Sequence, residues 1–326
     1  MELNLNVRKL YNGMIPFIIG LIFVMIITGC GNTSNGGMKK DKVNVVTTFY
    51  PIYVFAQAIG GEDAHVVNLI PTGVEPHDWT PRSQEIMSTS KAQLFMYNGA
   101  GLEGWVPNFL VALNKDSKVK AVEVSAGVKL IESTEDDGDD HGEVDSAESV
   151  KQHHIDPHTW VSPKSALVMA ENIKKSFIEV DPTNQSKYEQ RFQELNDKLV
   201  ELDHKFQSEL AEMSKTEIVV SHQAFGYLTR DYGLTQHAIM GLSPDAEPRA
   251  QDIIKLADFV KKEGIQYIFF EELVSDRLAK TLAAEANIET MVLNPVEGLT
   301  EEQEKNKENY FTLMEKNLQN LIIALK

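Results

Sequence analysis

The chain has 326 residues and a single cysteine, Cys30, so it can form no disulfide with itself. Basic residues are scarce beside acidic ones, 31 Lys and Arg against 48 Asp and Glu, and the net charge is −17. That balance argues against nucleic acid, whose phosphates need a basic face, and suits a cation as partner. Neither an HExxH zinc-protease motif nor a GxSxG nucleophile elbow occurs. The apolar run Met14–Thr28 is 15 residues long and contains Pro16, short of the roughly 20 residues that a membrane-spanning helix needs. Glycine and proline are both missing from Asn184 to Met213, which leaves that stretch no backbone hinge.

What fills Asn184–Met213 is periodic. Tyr188, Phe192, Leu195, Leu199, Leu202, Phe206, Leu210 and Met213 follow one another in steps of three and four, which places them on one face of a helix. Asp181-Pro182-Thr183 supplies a start, and at about 1.5 Å per residue the helix would run roughly 45 Å. Strand-like runs alternate with helical ones both before and after it. The expectation is therefore two lobes, 43–180 and 215–326, joined by one long rigid helix over 181–214 rather than a coiled coil. Each lobe is expected to be α/β, with four strands and a parallel-rich sheet. The last helix is expected to run unbroken from Glu302 to Leu325.

The amino terminus reads as an export signal. Arg8 and Lys9 precede the apolar run, which ends at Ile27-Thr28-Gly29-Cys30, and small residues before a lone cysteine resemble a lipobox. Residues 1–29 are then a lipoprotein signal peptide, with Cys30 lipidated and anchored in the bilayer. Residues 30–42, rich in Gly, Asn, Ser and Lys, are expected to be a flexible tether. An uncleaved membrane anchor is the alternative, and both place the bulk of the protein outside the cytoplasm.

Polar candidates gather where strands should end. Pro71–Pro81 holds three prolines and a glycine, is expected to be a loop after a strand, and presents Glu75, His77, Asp78 and Trp79. Ile155–Pro163 repeats its theme: Pro76-His77-Asp78-Trp79 is matched by Pro157-His158-Thr159-Trp160. The proline stiffens each loop, the histidine supplies a nitrogen, and Trp79 and Trp160 can exclude water. His222 follows a buried-looking strand, and Glu297 lies in the loop after another, with Gly298 beside it for backbone freedom. Three imidazoles and a carboxylate can hold a borderline metal. His65, His204 and His237 read as ordinary surface or core histidines. Glu271 and Glu272 are expected to close a strand end or to pair with Arg249 or Arg277. Between the lobes' motifs, Glu132–Val150 carries nine acidic residues and no basic one, with His141 inside and His153-His154 after it. Over 132–154 a solvated loop is expected, able at most to collect cations weakly.

GVEPHDW, DPHTWVSP, SHQAFGY, SPDAEP, FFEELVS and LNPVEGLT together resemble the zinc-binding lipoproteins of ABC importers, the cluster A-I solute-binding proteins of ZnuA or AdcA type. The similarity runs through nearly the whole mature chain. It implies two (βα)4-type lobes with a metal in the cleft between them, Zn2+ as transported ligand, a membrane permease as partner, and no catalysis. The ligands it implies are His77, His158, His222 and Glu297, with Glu75 and Asp156 nearby as supporting or competing carboxylates. A monomer is expected. The manganese-binding branch of the family places an aspartate near Asn294; the amide there favours zinc. Two rivals come from other classes: a zinc hydrolase, which would need an open coordination position and a general base, and a surface adhesin.

Overall fold

The computed structural model describes residues 38–113, 116–133, 154–245 and 248–326. Residues 1–29, Cys30 and the tether as far as residue 37 lie outside the described residues. So do His141, His153 and the rest of 134–153.

The first lobe holds β1 (Val43–Thr47), β2 (Ala64–Asn68), β3 (Leu94–Tyr97) and β4 (Lys120–Glu123), paired in parallel in the order β2-β1-β3-β4. Its helices are α1 (Tyr50–Gly60), α2 (Ser83–Thr89), α3 (Val106–Ala112) and α4 (Pro163–Val180). A short antiparallel pair, β5 (Glu132–Ser133) with β6 (His154–Ile155), joins the two ends of the acidic stretch and had no periodic signal in the sequence. After the long helix α5 (Gln185–Ala211), the second lobe holds β7 (Glu217–His222), β8 (Thr235–Met240), β9 (Tyr267–Phe270) and β10 (Glu289–Val292), again all parallel, in the order β10-β9-β7-β8. Its helices are α6 (Gly226–Tyr232), α7 (Ala250–Glu263), α8 (Arg277–Ala286), α9 (Glu301–Lys305) and α10 (Tyr310–Leu325). Read from its β8 edge, the second sheet has the same order as the first: second, first, third, fourth strand. In such sheets the chain leaves the first strand in opposite directions, and a crevice opens at the carboxyl ends of the strands.

The periodic face of α5 is the buried one. Tyr188, Leu195, Leu199, Leu202, Phe206 and Leu210 are buried, and Phe192 and Met213 pack against the same core. A 3₁₀ turn at Pro182–Asn184 leads into the helix. Along its length α5 touches α1 and α4 of the first lobe, then α6 and α10 of the second. One apolar core therefore runs through both lobes. Burying each Leu or Phe of this face is worth roughly 1.5–3 kcal/mol.

Local chemistry moved several boundaries. Helix α3 starts only at Val106, after a turn containing Gly104, with Pro107 in its first turn. The last helix is two: α9 stops, Lys307 takes a left-handed conformation (φ 58°), and the Asn309 side chain accepts the N–H groups of Phe311 and Thr312 to start α10. Residues 38–42, expected as tether, are fastened: the Asn44 amide donates to the carbonyls of Lys39 and Lys42 and accepts the N–H of Lys39 at 2.7 Å.

Beyond α5, the lobes are tied by buried polar groups. Trp160 is buried, and its indole N–H donates to the Pro295 carbonyl at 2.7 Å. The Tyr310 hydroxyl donates to the Trp160 carbonyl at 2.8 Å, and the Tyr227 hydroxyl to the Asp156 carbonyl at 2.6 Å. The Gly73 N–H donates to the Leu299 carbonyl at 2.8 Å. Opening the lobes widely would break these bonds and bend a helix without a hinge. Solution scattering should accordingly give nearly the same radius of gyration with and without Zn2+; a large compaction on adding the metal would contradict this rigidity.

Candidate metal centre

Each of the four candidate side chains is placed by a different element. His77 lies in the loop after β2, which Pro76 stiffens, and the Glu75 carboxylate accepts the His77 N–H at 3.2 Å. His158 follows β6 and begins a 3₁₀ turn at Thr159–Val161. His222 is the last residue of β7 itself, rather than of the loop beyond it. Glu297 lies past β10, where Val296 adopts φ 59° and the Asn294 side chain accepts the Val296 N–H at 2.7 Å. Left-handed backbone is uncommon for a β-branched residue and costs about 1–3 kcal/mol. The sequence pointed to Gly298 for this freedom, but the residue that uses it is Val296.

His158, His222 and Glu297 are buried and His77 is half-buried. One donor atom from each lies within 4.8 Å of all the others. His158 Nε2 is 3.2 Å from both His77 Nε2 and His222 Nε2. Glu297 Oε1 lies 3.3 Å from His158 Nε2, 3.7 Å from His77 Nε2 and 3.8 Å from His222 Nε2. A tetrahedral zinc with bonds of about 2.0–2.1 Å separates its ligand atoms by about 3.3–3.4 Å. Both Glu297 oxygens are buried without a hydrogen-bond donor of good geometry. A bare buried carboxylate beside three imidazole nitrogens is what a cation would satisfy.

Carboxylates behind the imidazoles turn them inward. Asp156 Oδ1 accepts both the backbone N–H and the Nδ1–H of His158, each at 2.9 Å. Glu271 accepts the Nδ1–H of His222 at 2.7 Å and the Ser221 hydroxyl. With Nδ1 directed outward to a carboxylate, each ring turns its Nε2 toward the centre, where it can serve a cation. Glu271 thus serves His222, not Arg249 or Arg277, and Glu272 accepts the side-chain amides of Asn294 and Gln303. Asn294 has both ends engaged, its amide donating to Glu272 and its oxygen accepting from Val296. Trp160 packs beside His158 with ring centroids 5.4 Å apart, whereas the ring contact of Trp79 is with Trp105. The sequence reading had no access to Glu271's role, because it depends on β9 lying beside β7. It also missed the support beneath His158. The Asn98 amide donates to the Pro157 carbonyl, and its oxygen accepts the Thr159 hydroxyl. Asn98 is itself held by the buried Glu103 carboxylate, which accepts the N–H groups of Asn98 and Gly99 and the Thr48 hydroxyl. His237 pairs with Glu217 at 2.6 Å, and His204 is exposed on α5. His154 sits in β6.

A family model described as "ZnuA: Zinc-uptake complex component A periplasmic" matches residues 45–324. The chain belongs to the ZnuA family. It is 38% identical to the "High-affinity zinc uptake system protein ZnuA" of Bacillus subtilis, over 95% of this chain and 96% of that one. It is 39% identical over 307 residues to the "Zinc-binding lipoprotein AdcA" of Streptococcus pneumoniae, which covers 94% of this chain but only 60% of that protein. The crystal structure of the Zn(II)-bound ZnuA-like domain of pneumococcal AdcA superposes with a TM-score of 0.73 at 39% identity, covering 87% of this chain and 99% of that one. The two parallel lobes and the long helix are therefore the ZnuA fold. ZnuA proteins are solute-binding proteins, and the resemblance drawn from the motifs stands.

Burial and charge set how the four-residue cluster titrates without metal. Burial opposes protonation of His158, but Asp156 and Glu297 outweigh it and push the ring up to about 10. Burial likewise opposes ionisation of Glu297, yet His158 and His77 hold it well below the ordinary carboxylate range. A proton on His158 is thus favoured by the metal-free fold. Its stabilisation is complete below the ordinary histidine value and lost as pH rises through about 10. The Glu297 contribution runs the other way: it is present above the ordinary carboxylate value and lost as pH falls. A metal at His158 Nε2 must displace that proton. Titration calorimetry at neutral pH in buffers of different ionisation heat should register release of about one proton per metal ion, with affinity rising about tenfold per pH unit. A heat independent of the buffer would show that His158 is already neutral.

Proposed function

We propose that this chain captures Zn2+ outside the cytoplasm and hands it to the membrane permease of an ABC importer. The metal is held by His77, His158, His222 and Glu297, and the protein is anchored by a lipid on Cys30. The observation that carries this reading is the convergence of three imidazole nitrogens and one carboxylate oxygen, all within 4.8 Å of one another, at a largely buried site. Three nitrogens and one oxygen suit zinc. Manganese takes more oxygen ligands and stands lower in the usual affinity order.

The same features weigh against a hydrolase. A fourth protein ligand closes the position that a catalytic zinc keeps for water. Glu75, beside the site, is no ready general base while the metal is absent: burial, and next the charge of Glu297, push its carboxyl up to about 9. It is therefore protonated at neutral pH.

Two measurements test the reading. Native protein should bind one Zn2+ tightly and Mn2+ more weakly in competition with a chromogenic chelator. Glu297→Ala should keep its fold by circular dichroism and lose zinc affinity by tenfold or more; unchanged affinity, or tighter Mn2+ than Zn2+ binding in the native protein, contradicts the assignment. For the anchor, mass spectrometry of membrane-extracted protein should find Cys30 as the acylated first residue, and mature protein beginning at Met1 would refute it.

A further inference from the structure

The segment that follows β7 reaches across to the other lobe's ligand. Asp156 gives one carboxylate oxygen, Oδ1, to His158. The other, Oδ2, is buried and accepts no hydrogen bond. It rests against the first residue of α6. A Cβ on Gly226 would lie 2.2 Å from Asp156 Oδ2 and 3.5 Å from its carboxyl carbon, and a real Cβ essentially never has a neighbour under 3.0 Å. The next residue, Tyr227, is fully buried and donates its hydroxyl to the Asp156 carbonyl at 2.6 Å. Both ends of Asp156 are thus set by two consecutive residues of the second lobe.

Glycine at 226 is not required by its backbone. Among the described residues the left-handed glycines are 61, 73, 99, 101, 127, 233 and 264, and Gly226 is not one of them. Glycine also weakens a helix relative to alanine. The missing side chain, rather than a special conformation, is what the position uses. The nearest obstacle to any side chain there is the carboxylate that orients His158; the Gln236 amide stands farther off, at 3.3 Å.

We propose that Gly226 is a positioning residue for zinc. Its bare Cα lets Asp156 stand close enough to hold the His158 ring, so that residues 222–227 supply one ligand, His222, and aim a second across the lobe interface. The inference rests on the reading that His158 binds zinc. A methyl at 226 forces Asp156 to rotate or withdraw, which frees the His158 ring from its Nδ1 partner. Outer carboxylates of this kind are worth about 10–100-fold in metal affinity.

The test uses the full chain, Zn2+ alone as probe, and a competing chromogenic chelator at fixed pH. Gly226→Ala should weaken zinc binding about 10–100-fold, and Asp156→Ala by a similar factor. The double variant Asp156→Ala/Gly226→Ala should bind no more weakly than Asp156→Ala, because the added methyl then has no carboxylate to displace. Its melting temperature should be at least that of Gly226→Ala. Gly226→Ala binding within twofold of native protein, or losses that multiply in the double variant, overturn the proposal. If Gly226→Ala does not fold, the double variant decides: recovery of the fold supports the clash with Asp156, and failure to recover it overturns the proposal. Native protein that takes up no zinc would instead sink the functional reading, and this inference with it.

Discussion

A glutamate buried without a good hydrogen bond, facing three imidazole nitrogens, is the interaction on which the rest of this molecule depends. Glu297 and His222 come from the second lobe, His77 and His158 from the first. None of the four could hold its position alone. Glu297 is aimed by a left-handed Val296 and the Asn294 side chain, His222 and His158 by carboxylates on their outer nitrogens, and His77 by a proline-stiffened loop. Bringing these groups together crowds polar atoms in a site largely shut off from water. The cost is met partly by a proton, which His158 favours well above the ordinary histidine range.

Such crowding needs a stiff frame. The frame here is a shared core, not a pair of hinged domains. Helix α5 lays one apolar face along helices of both lobes, and Trp160, Tyr227 and Tyr310 carry hydrogen bonds from one lobe to the other. Trp160 connects frame and site directly. Its ring lies beside His158, and its indole N–H binds the carbonyl two residues before Glu297.

The repeated strand order explains where the site sits. Both sheets run second, first, third, fourth, so each opens a crevice at the carboxyl ends of its strands. His222 ends the first strand of its sheet, and Glu297 follows the fourth. The ZnuA relatives share this frame, which is why a structure of one of their zinc-bound domains superposes over most of the present chain.

Periodicity and residue chemistry by themselves determined the long helix, its buried face and the βα alternation of each lobe, and marked four candidate side chains at strand ends. Those properties are local. Steps of three and four from Tyr188 to Met213 can bury only one face of a helix, and histidines between a proline and a tryptophan at strand ends are marked wherever the chain folds. The break between α9 and α10 was less legible, because it rests on one left-handed lysine and one asparagine cap inside an otherwise helical run. Only the tertiary structure decided what stands behind the ligands. Glu271 serves His222 because β9 lies beside β7, and Asp156 meets Gly226 because α6 reaches into the other lobe. Asn294 braces a turn instead of offering itself to a metal because Glu272 and Val296 occupy both ends of its side chain. Contacts between residues so distant in sequence leave no period to read, since they are fixed by how strands and helices pack and not by the spacing of residues along the chain.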